Sequence, residues 1–197
     1  NTTAPMYEEI GKQPHLAAKF ASAMTAENDR YGLSPRHLST LFPWSSLPSG
    51  TTIVDVGGST GNICIILDCE FRENDFRFIV QDRAEVIAAI APIDVKSGLR
   101  LRFMAHDFFT EQPVKDADIY LLRFILHNWS DSYCIDILRR LVPALKDGAR
   151  VLVNDIVLPD LGGMGSNVRE ARMRFVIISL CTLIVESRNF MLISCLA

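Results

Sequence analysis

Between Thr51 and Gly61 the chain reads Thr-Thr-Ile-Val-Asp-Val-Gly-Gly-Ser-Thr-Gly, with three glycines inside five positions. Clustered glycines adopt backbone angles that side chains forbid, and they let a ligand lie against the main chain. A helix opening after Gly61 aims its free N–H groups at whatever sits over the turn. Asp55, just beneath, suits loop N–H groups or the cationic end of a ligand, and would repel a phosphate. Further on stand Asp82, Asp107, Arg123, His127 and Asp155. Asp82 lies 21 residues beyond Gly61, the placement of an acid that accepts both hydroxyls of a ribose. A dinucleotide turn requires Gly-x-Gly-x-x-Gly, which Gly57-Gly58-Ser59-Thr60-Gly61 does not supply. A nucleoside without a pyrophosphate fits the turn better. That points to a cofactor such as S-adenosylmethionine and away from a dehydrogenase.

These residues need elements to hold them. Ile53, Val54 and Val56 make a buried strand that leads into the glycines, and Ile63 to Leu67 begin a helix after them. The pattern then predicts strands over Phe76–Gln81, Leu99–Ala105, Asp118–Leu122 and Ala149–Leu158. Helices are expected over Ala84–Ala91 and from Asp131, the latter capped by Ser130 or Asp131. Its apolar face reads Cys134, Leu138, Leu141, Val142 and Leu145, with Gly148 past its end. Alternation of this kind gives an α/β fold, a Rossmann-like parallel sheet flanked by helices. Ligands in such sheets lie at the carboxyl ends of the strands, where Asp82, Asp107, Arg123, His127 and Asp155 all fall. Residues 1–48 form a helical segment: a short helix from Pro5 to Ile10, one from Pro14 to about Glu27, and another from Pro35 to near Phe42. Leu16, Phe20 and Met24 make one apolar stripe on the second of these. The domain proper is expected over 49–174, followed by a divergent apolar tail over 175–197.

Composition narrows the partners. A chain of 197 residues makes one domain with a proper core, and its net charge of −3 without a basic stripe argues against nucleic acid. Cys64, Cys69, Cys134, Cys181 and Cys195 are odd in number and lack metal spacing. They suit reduced, mostly buried thiols of a cytoplasmic protein, with no metal. The apolar run from Phe175 to Val185 is shorter than the ~20 residues that span a bilayer.

Five stretches occur in one order: Val-Asp-Val-Gly-Gly-Ser-Thr-Gly, Phe-Ile-Val-Gln-Asp, His-Asp-Phe-Phe, Tyr-Leu-Leu-Arg-Phe-Ile-Leu-His-Asn-Trp-Ser-Asp and Leu-Val-Pro-Ala-Leu-Lys-Asp-Gly-Ala-Arg-Val-Leu. Together, from about Tyr7 to Arg174, the chain resembles class I S-adenosylmethionine-dependent O-methyltransferases of the plant caffeate and fungal secondary-metabolite type. The resemblance implies that Gly57, Gly58, Ser59 and Gly61 hold the methionyl end and Asp82 the ribose, with Asp55 beneath them as a further cofactor-binding candidate. Asp107 and Phe108 would border the adenine, Arg83 would change that adenine edge where the family usually has an apolar residue, and Arg123 would replace a lysine at the cofactor edge. It makes His127 the general base toward a phenolic hydroxyl and Asp155 its buttressing acid. Phe20, Met24 and Asn128 would face the acceptor. A phenol with a pKa of about 10 is a poor nucleophile at neutral pH until a base such as imidazole takes its proton.

The pattern also departs from the family. Ser59 stands where many members have glycine, which a negative φ would tolerate. Asn128 replaces a common aspartate. His15, His37 and His106 are expected to be ordinary. The resemblance implies a homodimer, yet the winged-helix domain that builds it is not recognisable here. After Arg174 the pattern dissolves, and Glu186 is a poor substitute for the second acid that should flank the histidine. The sequence therefore leads one to expect an incomplete C-terminal part and a sheet ending in an exposed fifth strand. Two functions stay open: an O-methyltransferase of small secondary metabolites, or a non-catalytic relative that binds cofactor or pairs with a full-length one.

Overall fold

The computed structural model describes residues 13, 15, 16, 19, 35–90, 100–156, 180–186 and 189–194. The two helices expected before Ser34 lie outside these apart from isolated positions, so Phe20 and Met24 receive no structural account. Helix α1 (Pro35–Leu41) precedes β1 (Thr52–Val56), α2 (Asn62–Glu70), β2 (Arg77–Asp82), α3 (Ala84–Ile90) and β3 (Leu101–Ala105). Then come β4 (Ile119–Arg123), α4 (Asp131–Leu141), β5 (Arg150–Ile156), β6 (Leu180–Glu186) and β7 (Asn189–Ser194).

The sheet runs β3-β2-β1-β4-β5-β6-β7. Pairing from β3 through β5 is parallel, as the βαβ alternation predicts. The chain winds outward from β1 to β3 and then returns to β4 on the other side of β1. This reversal opens a crevice at the carboxyl ends of β1 and β4, where such sheets bind ligands. The fifth strand is not the edge. β6 pairs antiparallel with it over its whole length, from Arg150 opposite Glu186 to Ile156 opposite Leu180, and β7 pairs with β6. An apolar run of that length suits a buried strand and a helix alike, so periodicity alone could not place it.

The central strands β1 and β4 are buried on both faces because both are covered, whereas the edge strand β3 exposes Arg102 and Ala105. On one face Ile53, Phe78, Leu121 and Leu152 pack with Ile63, Cys64 and Leu67 of α2 and with Leu38 and Trp44. The buried Trp44 indole donates to the Leu38 carbonyl at 2.9 Å, so its N–H is satisfied inside the core. On the other face Val54, Tyr120, Leu122 and Val153 pack with Ile137 and Leu141 of α4. The expected apolar face of this helix needs a correction. Ile137, not Val142, is its buried centre, and Val142 is 62% exposed in the 3-10 turn Val142–Ala144. Pro143, which lacks the N–H that would continue the α-helix, sits in that turn.

Arg100 fastens the helix layer to the sheet. Its Nε donates to the buried carboxylate of Asp68 on α2 at 3.0 Å, and its Nη2 donates to the Arg72 carbonyl at 3.1 Å. It also pairs with Asp75. Of the described thiols, all free, only Cys64 is buried; Cys69 is exposed and Cys134 intermediate. The expectation of mostly buried cysteines therefore fails for these. Among the described residues no helix is long and apolar enough to cross a membrane.

Candidate active site

The turn after β1 is shaped by contacts to β2. The N–H groups of Gly57 and Gly58 both donate to the Gln81 carbonyl, at 2.8 and 2.9 Å. Gly57 has φ of +74°. A Cβ on Gly58 would lie 2.3 Å from Oδ2 of Asp55 and 2.9 Å from Cγ1 of Val80, so only glycine fits. Gly61, at φ +71°, opens α2. Ser59 has φ of +50°, so the negative φ that would make a serine easily tolerated here is not met. Position 59 thus sits in the left-handed region between Gly57 and Gly61, both also at positive φ.

Asp55 is buried, and burial pushes its carboxyl up to about 7 despite the Cys64 thiol and the Arg123 guanidinium, which oppose the rise. The thiol donates to Oδ2 at 3.5 Å. Asp55 is therefore not a constant charge at neutral pH. Nor does it hold the loop amides. Besides the Gln81 carbonyl, that task falls to Asp82, whose Oδ2 accepts the Ser59 N–H at 2.8 Å and whose Oδ1 accepts the Arg83 N–H at 2.8 Å. Burial raises the Asp82 pKa while these two bonds lower it. Each oxygen keeps a lone pair for a hydroxyl donor.

Between the ends of β2 and β3 lies a cleft of about 380 Å³, lined by Arg83, Ala84, Glu85, Ala105, His106 and Asp107. Arg83 and Glu85 form an ion pair at its rim. His106 reaches this cleft, where burial lowers its pKa despite nearby Asp107. It is no ordinary surface histidine, and only its neighbour in the motif pointed to it. Phe108 turns the other way. It stacks edge-on with Phe109 and Trp129, at centroid distances of 5.0 and 5.9 Å, and approaches Gly57 instead of lining the cleft.

The contact between His127 and Asp155 joins the turn after β4 to β5. The 3-10 turn Leu126–Asn128 follows β4. Asp155 on β5 accepts the Leu126 N–H at 2.7 Å and the His127 N–H at 3.2 Å through Oδ2. Its Oδ1 lies 2.6 Å from His127 Nδ1. The ring is 31% exposed and the carboxylate 8%. A carboxylate on Nδ1 holds the proton there and leaves Nε2 as the ring's acceptor. Asn128 is exposed on the same turn. Burial lowers the Arg123 pKa to about 10 while Asp55 and Asp155 hold it up, so the guanidinium stays charged at neutral pH. It lies 4.1 Å from the ring centroid of Phe124. Phe124 itself has φ of +55°, unusual for a bulky residue, and turns the chain from β4 toward His127. No sequence signal marks that strain.

A doubly wound sheet with a glycine turn at its switch point, an acid after β2 and a histidine–carboxylate contact after β4 are the features of a nucleoside-cofactor domain. A family profile, the O-methyltransferase domain, matches residues 2–186, and the chain belongs to that family. It is 45% identical over 164 residues to the grayanic acid biosynthesis cluster O-methyltransferase of Cladonia grayi, covering 81% of this chain and 35% of that protein. The chain thus spans about a third of that relative's length. Among solved structures, a LepI variant with S-adenosylhomocysteine and a substrate analogue has a TM-score of 0.66 at 31% identity, covering 89% of this chain and 44% of that one. The neocarzinostatin O-methyltransferase NcsB1, solved with S-adenosylmethionine and 2-hydroxy-5-methyl naphthoic acid, has a TM-score of 0.67 at 26% identity. That likeness covers 88% of this chain and 50% of NcsB1.

Proposed function

We propose that this chain carries the cofactor-binding and base-bearing part of an S-adenosylmethionine-dependent O-methyltransferase acting on a phenolic hydroxyl of a small secondary metabolite. The observation that carries the reading is the 2.6 Å contact between His127 and Asp155 at the switch-point end of the sheet. The methionyl end would lie over Gly57–Gly61, the ribose against Asp82 and the adenine toward Asp107 and the cleft beside Arg83. The free lone pairs of Asp82 and the open cleft fit such a nucleoside. When bound, S-adenosylmethionine supplies an electrophilic methyl group on a sulfonium.

The protein's part is a proton transfer and alignment. His127 Nε2 takes the acceptor's O–H proton, which frees the oxygen lone pair as nucleophile. Asp155 fixes the tautomer beforehand and faces the imidazolium that results. Asn128 and the acceptor-side candidates Phe20 and Met24 would set the acceptor's orientation. The naphthoic acid bound by NcsB1 supports an aromatic hydroxyl as the acceptor class.

Phenols, including hydroxynaphthoic acids, should be methylated by the wild type, and His127→Gln should lower turnover about 10²–10⁴-fold. Affinity for S-adenosylhomocysteine, measured by calorimetry, should hold. Unchanged turnover would remove His127 from the mechanism. The partial exposure of the ring favours a second reading, a cofactor-binding relative without turnover. Tight binding of S-adenosylhomocysteine with no methyl transfer across the panel would select it.

A further inference from the structure

Two glutamines, neither of them a candidate ligand, meet beneath the site. Gln81 and Gln112 are fully buried and 31 residues apart in sequence. Gln81 Nε2 donates to Gln112 Oε1 at 2.7 Å, and Gln112 Nε2 donates back to Gln81 Oε1 at 2.8 Å. Gln112 Oε1 also accepts the Val114 N–H at 3.0 Å, which fixes which end of that amide is oxygen. The second N–H of Gln81 points at the Met104 sulfur, 3.4 Å away on β3. A reciprocal amide pair fixes separation, plane and rotation together, which an apolar contact does not.

What lies on either side gives the pair its meaning. The carbonyl of Gln81 holds the Gly57 and Gly58 amides. Gln112 ends the loop that begins with His106 and Asp107, and its own N–H is tied to the Arg140 carbonyl on α4 at 3.1 Å. Gln81 thus grips the glycine turn with its main chain and the β3 loop with its side chain, one residue before Asp82.

We propose that the Gln81–Gln112 pair is a positioning device that couples the glycine turn to the loop after β3, holding the two ends of the cofactor cradle at one spacing. Its bearing on catalysis rests on the cofactor reading above, whereas the coupling itself does not. A ligand gripped at both ends loses affinity when the ends shift by fractions of an ångström.

The test uses the full chain, with Gln112→Leu and the double variant Gln81→Leu/Gln112→Leu. The double variant replaces both amides by apolar side chains and so avoids the unmatched buried amide of the single variant, leaving only the Val114 N–H without its acceptor. Amide hydrogen exchange is followed without ligand at Gly57, Gly58 and Thr110, with Val54 in the core of β1 as reference. In the folded double variant, exchange at Gly57 and Gly58 should accelerate about tenfold together with Thr110, and S-adenosylhomocysteine should bind about tenfold more weakly. Wild-type exchange at Gly57 and Gly58 in that variant would overturn the coupling and leave the pair a core contact. Failure of the wild type to bind S-adenosylhomocysteine would fell the cofactor reading alone, because the exchange data decide the coupling without it.

Discussion

Asp55 carries the largest pH effect among the site residues. Its carboxyl titrates at 3.8 when solvated and is pushed up to about 7 by burial. Below the lower value both folded and unfolded states are protonated, and burial costs nothing. As pH rises the unfolded state ionises first, so stability falls between the two values and levels off at a loss of about 4 kcal/mol. Asp55→Asn keeps the shape and removes the titration. Urea unfolding at about pH 4 and about pH 8 should show a larger decline for wild type than for the variant. Equal declines would mean that Asp55 stays ionised in the fold. Ser59 offers a separate test, because a left-handed residue with a Cβ costs about 1 kcal/mol and glycine's extra freedom when unfolded offsets most of the relief. Ser59→Gly should lie within about 0.5 kcal/mol of wild type, while Ser59→Val, β-branched, should lose about 1–2 kcal/mol in thermal melts. A valine variant as stable as wild type would show that the turn relaxes.

At the scale of elements, one carboxylate organises the 3-10 turn after β4, taking two main-chain amides as well as the imidazole. Asp155→Asn leaves a single acceptor oxygen where three donors converge. Turnover should fall about 10²–10⁴-fold, as tautomer control is lost, with little change in S-adenosylhomocysteine affinity. Turnover that survives would confine Asp155 to holding the turn. The strands β1 to β5 were legible as short apolar runs bounded by Gly, Pro or Asp, and those expected ends that fall within the described residues shift by one residue. The pairing of His127 with Asp155 was legible only through motif resemblance, since residues 28 apart meet through the register of β4 against β5. The amide duties of Asp155 and Asp82 left no trace in the sequence. A side-chain contact to a distant main-chain N–H has no periodicity.

For the whole molecule, the parallel sheet with helices on both faces followed from the alternation of elements, but the two antiparallel strands that extend it did not. An apolar run gives no direction, and whether it extends a sheet depends on what edge it finds. Arg100 was likewise silent in the sequence, although it joins α2, the stretch before β2 and β3. Arg100→Leu should leave the Asp68 carboxylate buried without its guanidinium and lower the unfolding free energy by about 2–4 kcal/mol. The loss should fall short of that for a wholly buried pair, because Arg100 is 30% exposed and screened by water. Urea titration measures it, and a loss under about 0.5 kcal/mol would show that Asp68 finds another partner.

The double duty of Asp155 bears on how a lineage of such proteins would decay. A carboxylate that fastens main-chain amides is retained by any descendant that must still fold, whether or not it transfers methyl groups. The imidazole is different: partly exposed, with one bond to its name, it gives folding little to select for. Drift without selection for turnover would strip the ring first and keep the acid. On the proposed mechanism, a descendant bearing the acid alone would be the fossil of an enzyme.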